Sequence, residues 1–160
     1  MGMINYFKGR VREVVKESDL PRINELVVGL YANAQPVDTV AFLDFSEFSK
    51  TFFVVARDGN DGQVAGMGLV TIVRKWGYRY GLVEDIIVHE KYRGTPDHIA
   101  DEIMKKIEET ARENGAVQLD LTCGPQRAAA HRLYERNGYR KRETVPFRKP
   151  LEKTSPNVCL

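Results

Sequence analysis

Apolar residues recur along this chain at two different periods, and the changes of period divide it into elements. Residues 10–16, Arg-Val-Arg-Glu-Val-Val-Lys, alternate imperfectly and predict a short strand. Ser18-Asp19-Leu20-Pro21 places polar cap candidates ahead of a proline, a helix-start signal. Ile23, Leu26, Val27 and Leu30 follow at helical spacing. Residues 31–37, punctuated by Asn33 and Pro36, predict a loop, and the phenylalanine-rich 40–50 a second helix. The period then shortens to that of strands. Residues 51–56 and 64–73, joined by the turn cluster Arg57-Asp58-Gly59-Asn60-Asp61-Gly62, predict an antiparallel hairpin. Trp76-Gly77-Tyr78 turns the chain again, and 80–88 predict another strand with an apolar end.

Downstream, Ile99, Ile103 and Ile107 recur every fourth residue, with Ala100, Met104 and Ala111 beside them. This predicts an amphipathic helix ending at Asn114-Gly115. Thr95 as cap, Pro96 at the first helical position and Asp97 in the first turn predict its start. Residues 116–121 predict a strand, and a further helix runs from near Pro125 to Asn137-Gly138. Residues 139–144 and 147–151 predict two final strands, followed by a polar tail over 152–160. The order β-α-α-β-β-β-α-β-α-β-β implies an α/β domain over 1–151, a mixed sheet flanked by helices.

Composition narrows the class. A length of 160 residues fits one core, and 42% hydrophobic with 29% charged residues argues against a disordered or collagen-like chain. The net charge of +2 sets the chain as a whole apart from nucleic-acid binders, leaving only a local patch open. No apolar run approaches the roughly 20 residues that cross a bilayer, and residues 1–12 lack the apolar centre of a signal peptide. Cys123 and Cys159 are too few for a disulfide framework or a structural zinc site. His89, His98 and His131 have no metal-ligand spacing. These features predict a cytoplasmic protein with no metal, no membrane and no nucleic-acid partner.

The chemistry concentrates in 83–100. Val83-Glu84-Asp85-Ile86-Ile87-Val88 leads through His89-Glu90-Lys91-Tyr92 into Arg93-Gly94 and then the isoleucine helix. A strand end, an Arg-Gly turn and a helix start in series place free backbone N–H groups and the positive helix end together, a setting for an anion. A second segment pairs Leu119-Asp120-Leu121-Thr122 with Ala128-Ala129-Ala130-His131-Arg132-Leu133-Tyr134-Glu135-Arg136-Asn137-Gly138-Tyr139. Taken together, these two segments and the element order resemble the GNAT superfamily of acetyl-CoA-dependent N-acetyltransferases, over roughly residues 10–151.

The resemblance implies a single-domain GNAT-like fold, its mixed sheet mostly antiparallel. It also implies direct acetyl transfer from acetyl-CoA to a primary amine, with Tyr134 as general acid and Glu84 or Asp85 as general base. Cofactor contacts fall on Ile86, Ile87 and Val88 for the thioester, and on Arg93, Gly94, His98, Ile99 and Ala100 for the pyrophosphate, with Tyr134 beside the thiol. Residues 84–88 are also similar to the glucosamine-6-phosphate branch. The motif departs from the family pattern in one place: aligned backwards from Gly115, His98 stands where the family has glycine, in a loop two residues longer. That departure supports an alternative, a non-catalytic acyl-CoA- or protein-binding module. The acceptor, a small-molecule amine or a protein amine, is not specified by these residues. A homodimer is compatible with the family pattern.

Overall fold

The computed structural model describes residues 3–30 and 50–150. The predicted loop over 31–37, nearly all of the predicted helix over 40–50, and the tail over 152–160 lie outside the described residues.

Five strands form one sheet in sequence order: β1 (Ile4–Gly9), β2 (Thr51–Asp58), β3 (Val64–Arg74), β4 (Arg79–Val88) and β5 (Ala116–Asp120). The first three pairings are antiparallel and the last is parallel. Helix α1 (Val11–Val14) is one turn, α2 (Leu20–Leu30) follows it, and α3 (Ile99–Glu113) and α4 (Ala128–Arg136) flank β5 in sequence.

β2 runs through the middle of the core, and its neighbours in sequence serve opposite faces. Val54 and Ala56 join a cluster with Ile99, Ile103, Met104, Ile107 and Ala111 of α3. Phe53 and Val55 join a second cluster with Ile23 and Leu26 of α2 and Val14 of α1. Alternate side chains of a strand point to opposite faces, so a helix on each side requires an apolar residue at every position. That is why 51–56 reads as an unbroken apolar run. The α2 face is pinned at its edge by a nearly buried ion pair. Arg57 donates to both carboxylate oxygens of Asp19 and to the Val14 carbonyl. Burial alone would raise the Asp19 pKa; the Arg57 guanidinium and the Lys16 amide outweigh it and hold the carboxyl below its ordinary range.

Three sequence expectations change. The first strand lies at 4–9, and 10–16 contain the helical turn α1 instead. The Glu13 carboxylate accepts from the Arg10 amide at 2.6 Å, a local cap that favours a turn over a strand. α3 begins at Ile99 rather than Pro96. The Thr95 hydroxyl donates to the Tyr92 carbonyl at 3.0 Å, closing its own turn, and does not cap the helix. Residues 139–150 form no strand among the described residues. Beyond Tyr139 their apolar side chains face solvent, with Val145 72% and Phe147 96% exposed, and the cationic run Arg140-Lys141-Arg142 interrupts any apolar alternation. Both predicted helix ends hold: Gly115 and Gly138 follow Asn114 and Asn137 in the left-handed region, at φ 77° and 85°.

Candidate active site

β5 pairs from its first residue to its last, but only with the first residues of β4. The register runs Arg79↔Ala116, Gly81↔Leu119 and Leu82↔Asp120, then stops, while β4 continues to Val88. From Val83 onward, β4 is therefore paired to β3 alone. The direction of its free groups follows from one bond. The His89 amide donates to Ala65 of the β3 side, so Ile87, two residues back, faces β3 too. The amides of Ile86 and Val88 then point to the open side. The Val88 carbonyl confirms the orientation, since it accepts from Arg93 Nε at 2.8 Å rather than from β3.

A bulge sets which side chains face which helix. Met67 pairs with Ile87 and Leu69 with Glu84, so one β3 residue opposes both Asp85 and Ile86. Asp85 takes up the extra residue in the left-handed region, φ 52°, which aspartate enters more readily than most side chains. Glu84, opposite Leu69, shares the α2 face with Ile87. Ile86 and Val88 pack toward the α3 cluster. Gly68 makes room for this: a Cβ there would overlap Ile86 Cδ1 and lie 3.0 Å from Ile103 and Ile107. Burial, and then the negative charge of Asp85, raise the Glu84 carboxyl above the ordinary glutamate range.

The turn after β4 ends at the start of α3. Gly94 is left-handed at φ 73° and Arg93 is exposed, its Nε tied to Val88. His98 is the N-cap of α3 at φ 47°, ψ 40°, with no side-chain cap bond. A left-handed residue is where glycine costs least, so the conformation at 98 is the one that glycine favours although histidine occupies it. Asp101 and Glu102 donate to the His98 carbonyl, which leaves the Ile99 and Ala100 amides as free donors of the first turn. Nearby carboxylates are already engaged. Asp97 lies 3.2 Å from the Thr95 hydroxyl, whose proton goes to Tyr92, and Asp101 accepts from Arg136 Nε and Nη2 at 2.6 and 2.7 Å and from Asn137 Nδ2 at 2.8 Å. The Arg136 bonds are the largest reason that the Asp101 carboxyl lies below its ordinary range.

Sequence reasoning missed this Asp101 clamp. Its only signal was Asn137-Gly138 as a helix end, which does not name a partner 36 residues away.

Tyr134 sits on α4, partly buried, with its ring 6.0 Å from that of Tyr139. Burial is the main cause that raises its phenol pKa, with Cys123 next, so it stays protonated at neutral pH. It lines a cleft of about 1290 Å³ with Leu121, Cys123, His131 and Tyr139. Ile86, Ile87 and Val88 do not line that cleft; Ile86, Val88 and Tyr134 pack against the same core cluster. Among the described residues no group of His, Cys, Asp or Glu has the arrangement of a metal site, and no helix is long and apolar enough to cross a membrane.

Comparison with known proteins identifies the class that this geometry defines. The acetyltransferase (GNAT) family model matches residues 20–139, and the chain belongs to that family, whose members are acyl-CoA-dependent acetyltransferases. Similar solved structures include an acetyltransferase from Trypanosoma brucei, at 22% identity and TM-score 0.74, covering 93% of this chain and 100% of that one. The glucosamine-6-phosphate N-acetyltransferase of Arabidopsis thaliana is 18% identical with TM-score 0.70, covering 92% and 99%. An aminoglycoside acetyltransferase from an uncultured soil metagenomic sample, in complex with trehalose, is 13% identical with TM-score 0.77, covering 93% and 97%. No curated protein sequence matches the chain significantly.

Proposed function

We propose that this protein transfers the acetyl group of acetyl-CoA directly to a primary amine of a small molecule. The observation that carries this reading is the pairing of β4 with β5 that stops at Leu82, leaving two β4 amides unpaired beside a helix start with free donors. The residues fit the donor. Ile99 and Ala100 offer N–H groups and the positive end of α3 to the pyrophosphate, with Arg93 and Gly94 beside them. The Ile86 and Val88 amides are placed to polarise a thioester carbonyl. Acetyl-CoA supplies an activated carbonyl and a thiolate leaving group.

In the transfer, the amine nitrogen bonds to the carbonyl carbon and the carbon–sulfur bond breaks. Glu84 takes the amine proton through water, and its raised pKa brings it closer to such an acceptor's requirement. Tyr134, held protonated by burial, gives a proton to the departing thiolate. Asp85 tunes Glu84 through its charge and shapes the strand through the bulge. The reaction takes place in the cytoplasm, and a homodimer is compatible with it. Two structural neighbours bear the names of amino-sugar-type acceptors, so the amine panel begins with glucosamine-6-phosphate and an aminoglycoside.

The test is calorimetry with acetyl-CoA on the full chain, followed by that amine panel with thiol release as readout. Micromolar binding and amine-dependent release support the reading. No binding at millimolar acetyl-CoA rejects it, and binding without release on any amine supports a non-catalytic module instead.

A further inference from the structure

The opposite end of β4 carries a different chemistry. Residues 74–80 read Arg-Lys-Trp-Gly-Tyr-Arg-Tyr: three cations, three aromatic rings and no carboxylate. The turn is well defined. The Lys75 amide donates to the Tyr78 carbonyl at 2.9 Å, and Gly77 takes the left-handed conformation at φ 84°. Trp76 is 101% exposed, so its indole is held out in solvent. Tyr78 and Tyr80 lie 6.4 Å apart between ring centroids, and Lys75 Nζ sits 5.3 Å from the Tyr80 ring. Arg79 is anchored by donating to the Asn114 carbonyl at 3.2 Å. A cleft of about 650 Å³ runs between this turn and the start of β5, lined by Arg74, Lys75, Trp76, Tyr78, Arg79 and Val117.

Charge and aromatic rings coincide at this patch. Many cations elsewhere sit against carboxylates: Lys8 by Glu113, Lys105 by Glu102, Lys106 by Glu109, Arg112 by Glu108 and Arg136 by Asp101. Among the described residues, Arg74, Lys75 and Arg79 have no carboxylate partner. The chain is close to neutral overall, yet three unmatched charges share one cleft with exposed rings. It lies roughly 25 Å from the open end of β4, at about 3.3 Å of strand per residue.

We propose that this cleft binds single-stranded nucleic acid. Unstacked bases present flat faces to Trp76 and Tyr78, while Arg74, Lys75 and Arg79 meet the backbone phosphates. Combining a cationic groove with exposed rings is the general solution for such strands, and it tolerates sequence because every base has a face to stack.

Trp76 is the sole tryptophan of the chain and reports its own site. The full chain is titrated with a short oligothymidylate and a short oligouridylate at several salt concentrations. Saturable quenching of the tryptophan emission is expected, with log affinity against log salt sloping at about −2 for three phosphate contacts on a single strand. By anisotropy of a labelled strand, Trp76→Ala is expected to weaken binding about tenfold or more. Arg74→Glu with Lys75→Glu is expected to abolish it. Thermal unfolding of both variants at the wild-type temperature shows the fold intact. No quenching, or unchanged affinity in both variants, overturns the proposal. A blue shift with phosphatidylserine vesicles and no response to either strand also overturns it.

Discussion

The two ends of β4 differ in how many neighbours they have. Its first residues, from Arg79 to Leu82, are held between β3 and β5; its last, from Val83 to Val88, are held by β3 alone. The closed end leaves chemistry only to side chains at its turn, and these are cationic and aromatic. At the open end the proposed reagent is the backbone itself, because among the described residues the Ile86 and Val88 amides have no strand to bind. One strand thus carries both proposed sites, and the point where pairing stops divides them.

The largest expected effect is on the proposed proton donor. Tyr134→Phe keeps the ring and removes the proton; kcat for thiol release is expected to fall about 10²–10⁴-fold with acetyl-CoA affinity by calorimetry little changed. Glu84→Gln is expected to cost roughly 10²-fold in kcat/KM, the low end because it acts through water. Its pKa is raised in the folded protein, so the basic form, and with it activity, grows as pH rises through a midpoint above the ordinary glutamate range. The same shift opposes folding as pH rises, since the unfolded chain gives up that proton more readily. Because burial and Asp85 both contribute, Asp85→Asn moves the acidic limb of the kcat/KM profile to lower pH and preserves it. Loss of the limb instead assigns the base to Asp85.

Stability tests follow. Gly68→Val drives a side chain into Ile86, Ile103 and Ile107 and is expected to destabilise by about 1–3 kcal/mol in urea unfolding. His98→Gly relieves a left-handed histidine and is expected to stabilise by about 1 kcal/mol in the same measurement, glycine's greater freedom in the unfolded chain offsetting part of the gain. At the closed end, Trp76→Ala is expected to change stability by less than about 0.5 kcal/mol, since the exposed indole supports nothing.

What was legible in the sequence was what a single segment encodes. Every fourth isoleucine from Ile99 fixed α3 and its buried face, and Asn-Gly pairs marked both helix ends. The hairpin over 51–73 followed from two apolar runs around a glycine-rich turn. The proposed roles of Glu84, Asp85 and Tyr134 rest on motif resemblance, which carries residue types and spacing. What was hidden depends on partners. β1 holds by backbone pairing to β2, and its sequence, with Phe7 45% exposed, shows no clean alternation. The bulge at Asp85 exists only in the register against Met67 and Leu69. The start of α3 was placed too early because Thr95 and Pro96 are good cap residues, and nothing local shows that Thr95 is spent on Tyr92. The end of β4–β5 pairing, on which the site rests, falls where β5 stops at Asp120, close to the strand end that the sequence predicts; which part of β4 lies beside it is set by register alone.

The Asp101 clamp makes two events answer to one carboxylate. Asp101 stands one residue after Ala100, a free donor of α3, and it grips Arg136 and Asn137, within three residues of Tyr134. In the proposed reaction, the helix start assigned to the donor's phosphates is thereby geared to the helix assigned the proton. Acid that neutralises Asp101, below the ordinary carboxylate range, disengages that gear, and so does Asp101→Ala at neutral pH. Donor grip and proton delivery then slip together, although neither set of contacting atoms has changed.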